Sequence, residues 1–372
     1  MKHTHKKMLF LFIVLVSLAV GLGAAPQTER PAVEQRTIVD MRGREVVLPA
    51  AVDKIIALDA GSLRLVSYVD ATDKVIAVED EGHGREITDY EMFALATYRI
   101  AYPHLRTLPS IGSANSHEAI IAANPDLVIS SAVDREKLDH LQNILGIPVI
   151  GVDVDIEFYE MDKFYYQLSM LGEALDREDR AKTLTNGLKA LMDDLAARKT
   201  QVTTPKRGYA GGMMYYGMAD LFRTTGDFIP FDFTEAVNVM PTNPAGNRQP
   251  YMTDLESLIA ASPDYIFIDA ANLNLSREGY RKNKKALDEL VPAFTNKDVY
   301  VTFVYKYYGT NWDNQLVNVY YVGKVLYPEL FADVNIAQKA EEIWTLFFGV
   351  PLSFSEVIEQ QQAMPAQVDW FN

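Results

Sequence analysis

Residues Asn115–Ala132 read NSHEAIIAANPDLVISSA, and residues Thr253–Ala270 read TDLESLIAASPDYIFIDA. Each phrase opens on polar residues, runs through an apolar stretch at helical spacing, and meets Pro-Asp, through which a helix does not continue. Each then ends in a run of apolar and aromatic residues suited to a buried strand. An acidic residue, Glu118 or Glu256, stands seven positions before each proline. A helix-then-strand phrase used twice predicts a chain with two related α/β halves.

Outward from the first copy, strands alternate with helices. Thr37–Leu48 reads as a small hairpin with Arg42-Gly43 at its turn, and Lys54–Leu58 as a short buried strand. Ser62–Val69 reads as a helix and Val75–Val78 as a second strand; a helix from about Ser116, the strand Leu127–Ser130, a helix over Arg135–Leu145 and the strand Pro148–Val152 follow. Such alternation predicts an α/β fold with a parallel sheet and helices on both faces. The first lobe is expected to span 36–155.

Residues 158–199 carry no proline and almost no strand signal. Apolar residues recur at helical spacing through Phe164, Leu168 and Leu171, then through Leu184, Leu188, Leu191 and Leu195, with Asp176 the expected N-cap between the two stretches. A helix from Asp176 to Arg198 would be about 35 Å long, enough to join two lobes; the plainer reading is one more helix packed on the sheet. After Pro205 the alternation resumes with strands over Arg207–Met214 and Val299–Phe303 and a helix over Asn314–Leu326. The second lobe is expected over 205–349, leaving a tail, 350–372, whose Gln-rich run and Trp370-Phe371 either pack back on a lobe or stay loose.

Composition narrows the class. The chain has 372 residues, long enough for two domains, and 48% hydrophobic content can supply two cores. With 35 basic against 50 acidic residues it lacks the positive excess that phosphate backbones require, so nucleic acid is excluded as a partner. Lys2, Lys6 and Lys7, the apolar stretch Met8–Val20 and the small residues Gly21–Ala25 predict a signal peptide over 1–25. The apolar run is short for a membrane span of about 20 residues, so a cleaved leader is favoured over an anchor. The absence of cysteine leaves no disulfide and no site for a lipid anchor. The expectation is a monomer, soluble in the periplasm and not membrane-embedded.

The order of these phrases, with TIVDMRGREVVLP (Thr37–Pro49), ILGIPVIGVD (Ile144–Asp153) and NWDNQLVNVYYVGKVLYPELF (Asn311–Phe331), resembles the substrate-binding proteins of ABC importers for ferric siderophores, haem and cobalamin. The resemblance covers nearly the whole chain after the leader. It implies two Rossmann-like lobes joined by a long rigid helix, a small-molecule metal chelate held between them, and no cofactor. It also implies delivery to an ABC permease served by a separate ATPase subunit. Glu118 and Glu256 match the family's paired glutamates that dock into permease arginines. A second reading of both stays open, since Thr253-x-x-Glu256 is a capping-box pattern and Asn115-x-x-Glu118 a near relative.

Ligands of such lobes lie at loops leaving the carboxyl ends of the strands. These loops contain DAGSLR after Leu58, the long insert Glu79–His104, and the segments after Met213 and Phe303. Aromatic rings stack on flat ligands, and arginine offers a fork to carboxylate or catecholate oxygens. The candidates are Tyr215, Tyr216, Arg223, Tyr305, Tyr307, Tyr308 and Trp312 in the second lobe, and Glu79, His83, Tyr98, Arg99 and His104 in the first. Against these stand packing roles: Tyr305 and Tyr307 are not both expected to face the cleft, Asn311 suits an N-cap, and Arg64 suits a pair with a carboxylate of its own lobe.

A bare metal is less suited. His83, His104, His117 and His140 offer no i, i+4 pair, and the cluster of His83 with Glu79, Glu81 and Glu86, which could form a small oxygen-nitrogen site, reads first as a solvated acidic loop. An enzyme finds no Gly-x-Ser-x-Gly elbow, no Walker loop, no His-Glu-x-x-His and no cysteine nucleophile. The expected function is capture of a ferric-siderophore-type iron chelate in the periplasm. The alternatives are haem or cobalamin binding within the same family, or an exported chelatase-like enzyme.

Overall fold

A short antiparallel hairpin opens the fold: β1 (Arg36–Val39) pairs with β2 (Glu45–Leu48), Ile38 opposite Val46, and Gly43 takes the left-handed φ of 69° at the turn. Asp40 holds it to the body. Its carboxylate accepts from the Gly151 amide at 2.9 Å and from the buried guanidinium of Arg44 at 2.9 Å, while Arg44 also donates to the Val149 carbonyl at 2.8 Å. The computed structural model describes residues 36–79, 96–215, 217–361 and 364–371. The expected leader, Glu81, His83, Glu86 and Tyr216 lie outside the described residues.

The first sheet is parallel, in the order β3 (Ile55–Leu58), β4 (Leu127–Ser130), β5 (Val149–Gly151). Every residue of the three strands is buried, which is why they read as unbroken apolar runs. The segment Val75–Val78 departs from expectation. Val75 bridges to Ile55 and Val78 to Ser110, two different neighbours, so no continuous strand forms. The helices Asp59–Tyr68 and Arg135–Leu145 follow β3 and β4, and His117–Ala123 precedes β4.

Two helices, Met161–Leu175 and Glu178–Lys199, separate the sheets in sequence. Asp176 between them is not the N-cap expected of it. It closes the first helix in the left-handed region at φ 56°, and its carboxylate is taken by Arg36 at 2.6 Å and Lys74 at 3.3 Å. The second helix has 22 residues, about 33 Å at 1.5 Å per residue, and buries Ala181, Leu184, Leu188, Leu191 and Leu195 along one stripe.

The second sheet is built from β6 (Arg207–Gly211), β7 (Arg223–Thr224), β8 (Val237–Asn238), β9 (Tyr251–Met252), β10 (Tyr265–Asp269) and β11 (Val299–Thr302), in the order β11-β10-β6-β7-β9 with β8 on β6. β6, β10 and β11 run parallel. β6 stops short of the expected Met214 because Gly212 turns at φ 68°. The helices Leu255–Ala261, Leu273–Leu290, Trp312–Leu326, Ile336–Phe348 and Phe354–Gln361 clothe this half. One apolar core joins Val66 and Tyr68, Leu168 and Leu184, and Phe303, Trp312 and Phe347, so the two halves meet through packed side chains. The tail packs back: Trp370 stacks on Tyr280 with centroids 5.5 Å apart. No helix among the described residues is long and apolar enough to cross a membrane.

Candidate functional site

The carboxyl ends of β3, β4, β5 and β11 meet at one seam. The Thr310 amide donates to the Val154 carbonyl at 2.9 Å. A Cβ at Gly61 would collide with the Tyr308 carbonyl, and one at Gly309 with that of Val154, so glycine is what lets these backbones touch. Arg64, 2% exposed, crosses the seam. It donates to the carbonyl of Thr310 at 3.3 Å and to that of Tyr307, not to a carboxylate of its own half as expected.

Beside the seam lies a cationic floor. The short helix Thr97–Ala101 carries Tyr98, fully buried, and Arg99, 5% exposed. Arg99 donates from Nε to the Tyr98 hydroxyl at 3.0 Å and lies 5.4 Å from the centre of the Tyr98 ring and 5.7 Å from that of Tyr307. Burial lowers its pKa to about 10, and Arg64 adds a smaller push in the same direction. The rings of Tyr307 and Tyr308 meet edge to face at 5.0 Å. Tyr307 is buried, whereas Tyr308, at φ 48°, remains 50% exposed at the rim.

Two acids stand at strand ends, one in each half. Asp59 follows β3 at φ 64°, a strained conformation for a residue other than glycine. Its carboxylate accepts from the Ser62 amide at 2.8 Å and from the Ser131 hydroxyl, and its own amide donates to the Glu79 carboxylate. Burial raises the pKa of Asp59 and of Glu79. In the other half Asp269 ends β10, fully buried, and accepts from the amides of Ala271 at 3.0 Å, Tyr305 at 3.4 Å and Met214 at 3.5 Å. Burial lifts its pKa to about 7. Arg64, Asp59, Ser131 and Asp269 were not among the sequence candidates; an acid directly after, or closing, a buried strand in each half was the available signal.

The remaining candidates go elsewhere. Tyr305 points into the second half, its hydroxyl donating to the Asp227 carbonyl at 2.9 Å and its ring 5.2 Å from Phe228. Tyr305 and Tyr307 thus part company, because β11 has ended at Thr302 and the two residues lie in the irregular loop beyond it. Trp312 packs on Phe164 at 5.7 Å. Arg223 donates to the carbonyls of Tyr215 and Gly217, both at 2.7 Å, bracing that loop. His104 is exposed and lies against Tyr102 and the Thr72 carbonyl. Among the described residues no three histidines or acids gather as a metal site. Glu118 and Glu256 are exposed on the first turns of their helices. Neither caps its helix: Asp254 caps the second, accepting from the Ser257 amide at 2.8 Å, and Ser116 at the head of the first makes no side-chain cap bond.

Comparison with known proteins sets this geometry in a family. The chain is 20% identical, over 85% of its length and 92% of the relative's, to the molybdate-binding protein MolA of Haemophilus influenzae. The structure of MolA bound to molybdate superposes with a TM-score of 0.66 at 17% identity, covering 86% of this chain and 99% of that one. A periplasmic solute binding protein of Veillonella parvula gives 0.68 at 14% identity, covering 88% and 99%. Helicobacter pylori CeuE with Ni(II) bound gives 0.61 at 17%, covering 87% and 99%. At these identities the structural likeness establishes the fold. The sequence pattern of the family described as periplasmic binding protein matches residues 55–303, more than half of the chain. The chain therefore belongs to the periplasmic binding protein family, as a solute-binding component of ABC transport and not an enzyme.

Proposed function

We propose that this protein, exported by its first 25 residues, captures an iron chelate of the ferric-siderophore type between its lobes and hands it to an ABC permease. The observation that carries the reading is Arg99, a guanidinium buried to 5% exposure between the rings of Tyr98 and Tyr307, beneath the half-exposed Tyr308. A desolvated cation framed by aromatic faces suits a flat or conjugated anion. Glu118 and Glu256, one on each half, support docking. Both are exposed, and among the described residues neither carboxylate is engaged in a hydrogen bond or ion pair.

A second reading is a small metal oxyanion. It is favoured by two buried guanidinium groups meeting at Tyr307, Arg64 at its carbonyl and Arg99 at its ring, which set positive charge beside one another, and by the molybdate-binding relative. The test is calorimetric titration of the chain from residue 26 with ferric catecholate, hydroxamate and citrate chelates, their metal-free forms, haem, cobalamin and molybdate. Saturable submicromolar binding of a ferric chelate alone supports the first reading. Binding of molybdate alone selects the second, and binding of haem or cobalamin alone, or of nothing in the set, overturns both.

A further inference from the structure

The C-terminal region touches both halves behind the site. The helix Phe354–Gln361 reaches the first: Gln361 Nε2 donates to the Thr97 hydroxyl at 3.3 Å, and Thr97 donates to Asn314 Oδ1 at 2.9 Å. Thr97 is the residue before Tyr98 and Arg99. At its other end the helix sets Phe354 against Phe303, centroids 6.1 Å apart, and stacked on Trp344 at 6.2 Å. Residues 364–371 hold the second half. The Val301 amide donates to the Ala366 carbonyl at 2.8 Å and the Val368 amide to the Val299 carbonyl at 2.9 Å, so this segment pairs antiparallel with β11 and covers the outer edge of the sheet. Asp369 pairs with Arg277 at 2.6 Å, and Trp370 is buried on Tyr280.

We infer that the helix Phe354–Gln361 and the segment 364–371 act together as a strap that fixes the angle between the two lobes. One end holds the short helix bearing Tyr98 and Arg99, and the other holds the strand that leads into Tyr305–Tyr308. Among the described residues its contacts with the first half are one polar tie and helix packing, whereas those with the second are a ladder, a stack and an ion pair. The strap therefore stays anchored on the second half and yields first at Thr97. Removing it leaves the connecting helices, the shared apolar core and the seam to set the lobe angle, and exposes the edge of β11.

The strap is tested without cargo, so its failure is separate from failure of the ligand reading. The chain has no cysteine, so cysteines placed at the exposed Glu136 and Lys282 are the only spin-label sites. Pulsed electron–electron distance measurement on the otherwise full chain is expected to give one narrow distribution. Truncation after Gln361, and the full-length variant Gln361→Ala, are each expected to broaden or shift it while circular dichroism stays native. If the truncated chain does not fold, Gln361→Ala combined with Asp369→Ala decides by the same readout. Distributions superimposable on the parent in the folded variants overturn the proposal.

Discussion

Arg64, on the helix after β3, donates to the carbonyl of Thr310, 3.3 Å away on the loop after β11. The same guanidinium reaches the carbonyl of Tyr307 and, at 3.5 Å, that of Tyr308, so one cation from the first half satisfies three backbone acceptors of the second in a buried seam. Replacing it strands those acceptors away from water. Arg64→Met is expected to cost about 3 kcal/mol, the scale of charge-assisted bonds lost with their partners left unpaired. Arg64→Lys is expected to recover only part, because a point charge cannot fork. Urea unfolding of the three chains measures this, and an unchanged midpoint in Arg64→Met contradicts the role given to the residue.

Gly61 is the steric counterpart of Arg64. Its missing Cβ makes room for the Tyr308 carbonyl and for Val154. Gly61→Ala must push the loop after β11 outward or lose the seam, an overpacking cost of about 1–3 kcal/mol. A drop in melting temperature together with a larger radius of gyration by small-angle scattering is the expected result. A native melting temperature shows that the backbones do not need this contact.

Asp269 makes the protein's stability depend on pH in a defined direction. Its ordinary pKa is 3.8 and burial lifts it to about 7, so between those values the folded chain holds a proton that the unfolded chain has lost. Its contribution is complete below 3.8, declines as pH rises toward 7, and is constant above. The slope is at most about 1.4 kcal/mol per pH unit. Asp269→Asn keeps the shape without the titration, so the fall in unfolding free energy across that window is expected to flatten. A pH profile identical to that of the parent excludes Asp269 as its source.

Tyr308 and Trp312 lie four residues apart yet are expected to fail in different ways. Tyr308 is half exposed, so Tyr308→Ala leaves the core intact and, on the proposed function, takes away a ring offered to the ligand. The expected outcome is weaker cargo binding at an unchanged melting temperature. Trp312 is buried on Phe164, so Trp312→Ala opens a cavity worth about 3–5 kcal/mol. Thermal melts beside calorimetry separate the two, and loss of stability in Tyr308→Ala would place that ring in the core instead.

How much of this was legible in the sequence depends on the distance over which each feature is set. The strands β4 and β11, the helix Arg135–Leu145 and the repeated phrase follow from local periodicity, and the structure reproduces them nearly to the residue. Asp176 was misread because an acid between two helices looks like an N-cap. What decides its role is the pair Arg36 and Lys74, distant in sequence, which its carboxylate reaches from a left-handed C-cap. The floor was half legible: Tyr98, Arg99, Tyr307 and Tyr308 carry their chemistry openly. Read locally, Arg64 suits a partner in its own half, because nothing nearby in sequence says that a loop some 240 positions later presents its carbonyls. Tyr305 is a residue of the same type whose direction local sequence does not carry, because Phe228 and the Asp227 carbonyl set it.

The paired glutamates allow a test of delivery apart from capture. Glu118 and Glu256 sit at matching places in the repeated phrase, exposed and uninvolved in capping, so their removal should leave fold and cleft unaltered. An exposed charge at a docking surface acts through its partner, and two such charges that engage one dimeric permease reinforce each other because the second contact forms intramolecularly. Each single alanine variant is therefore expected to lower uptake partially, and Glu118→Ala with Glu256→Ala to abolish it, with cargo affinity and melting temperature at parental values throughout. Uptake by whole cells and calorimetry on the purified chains read the two quantities independently. Full uptake by the double variant would remove both residues from the docking surface, whereas a parallel loss of affinity would move them into the ligand site.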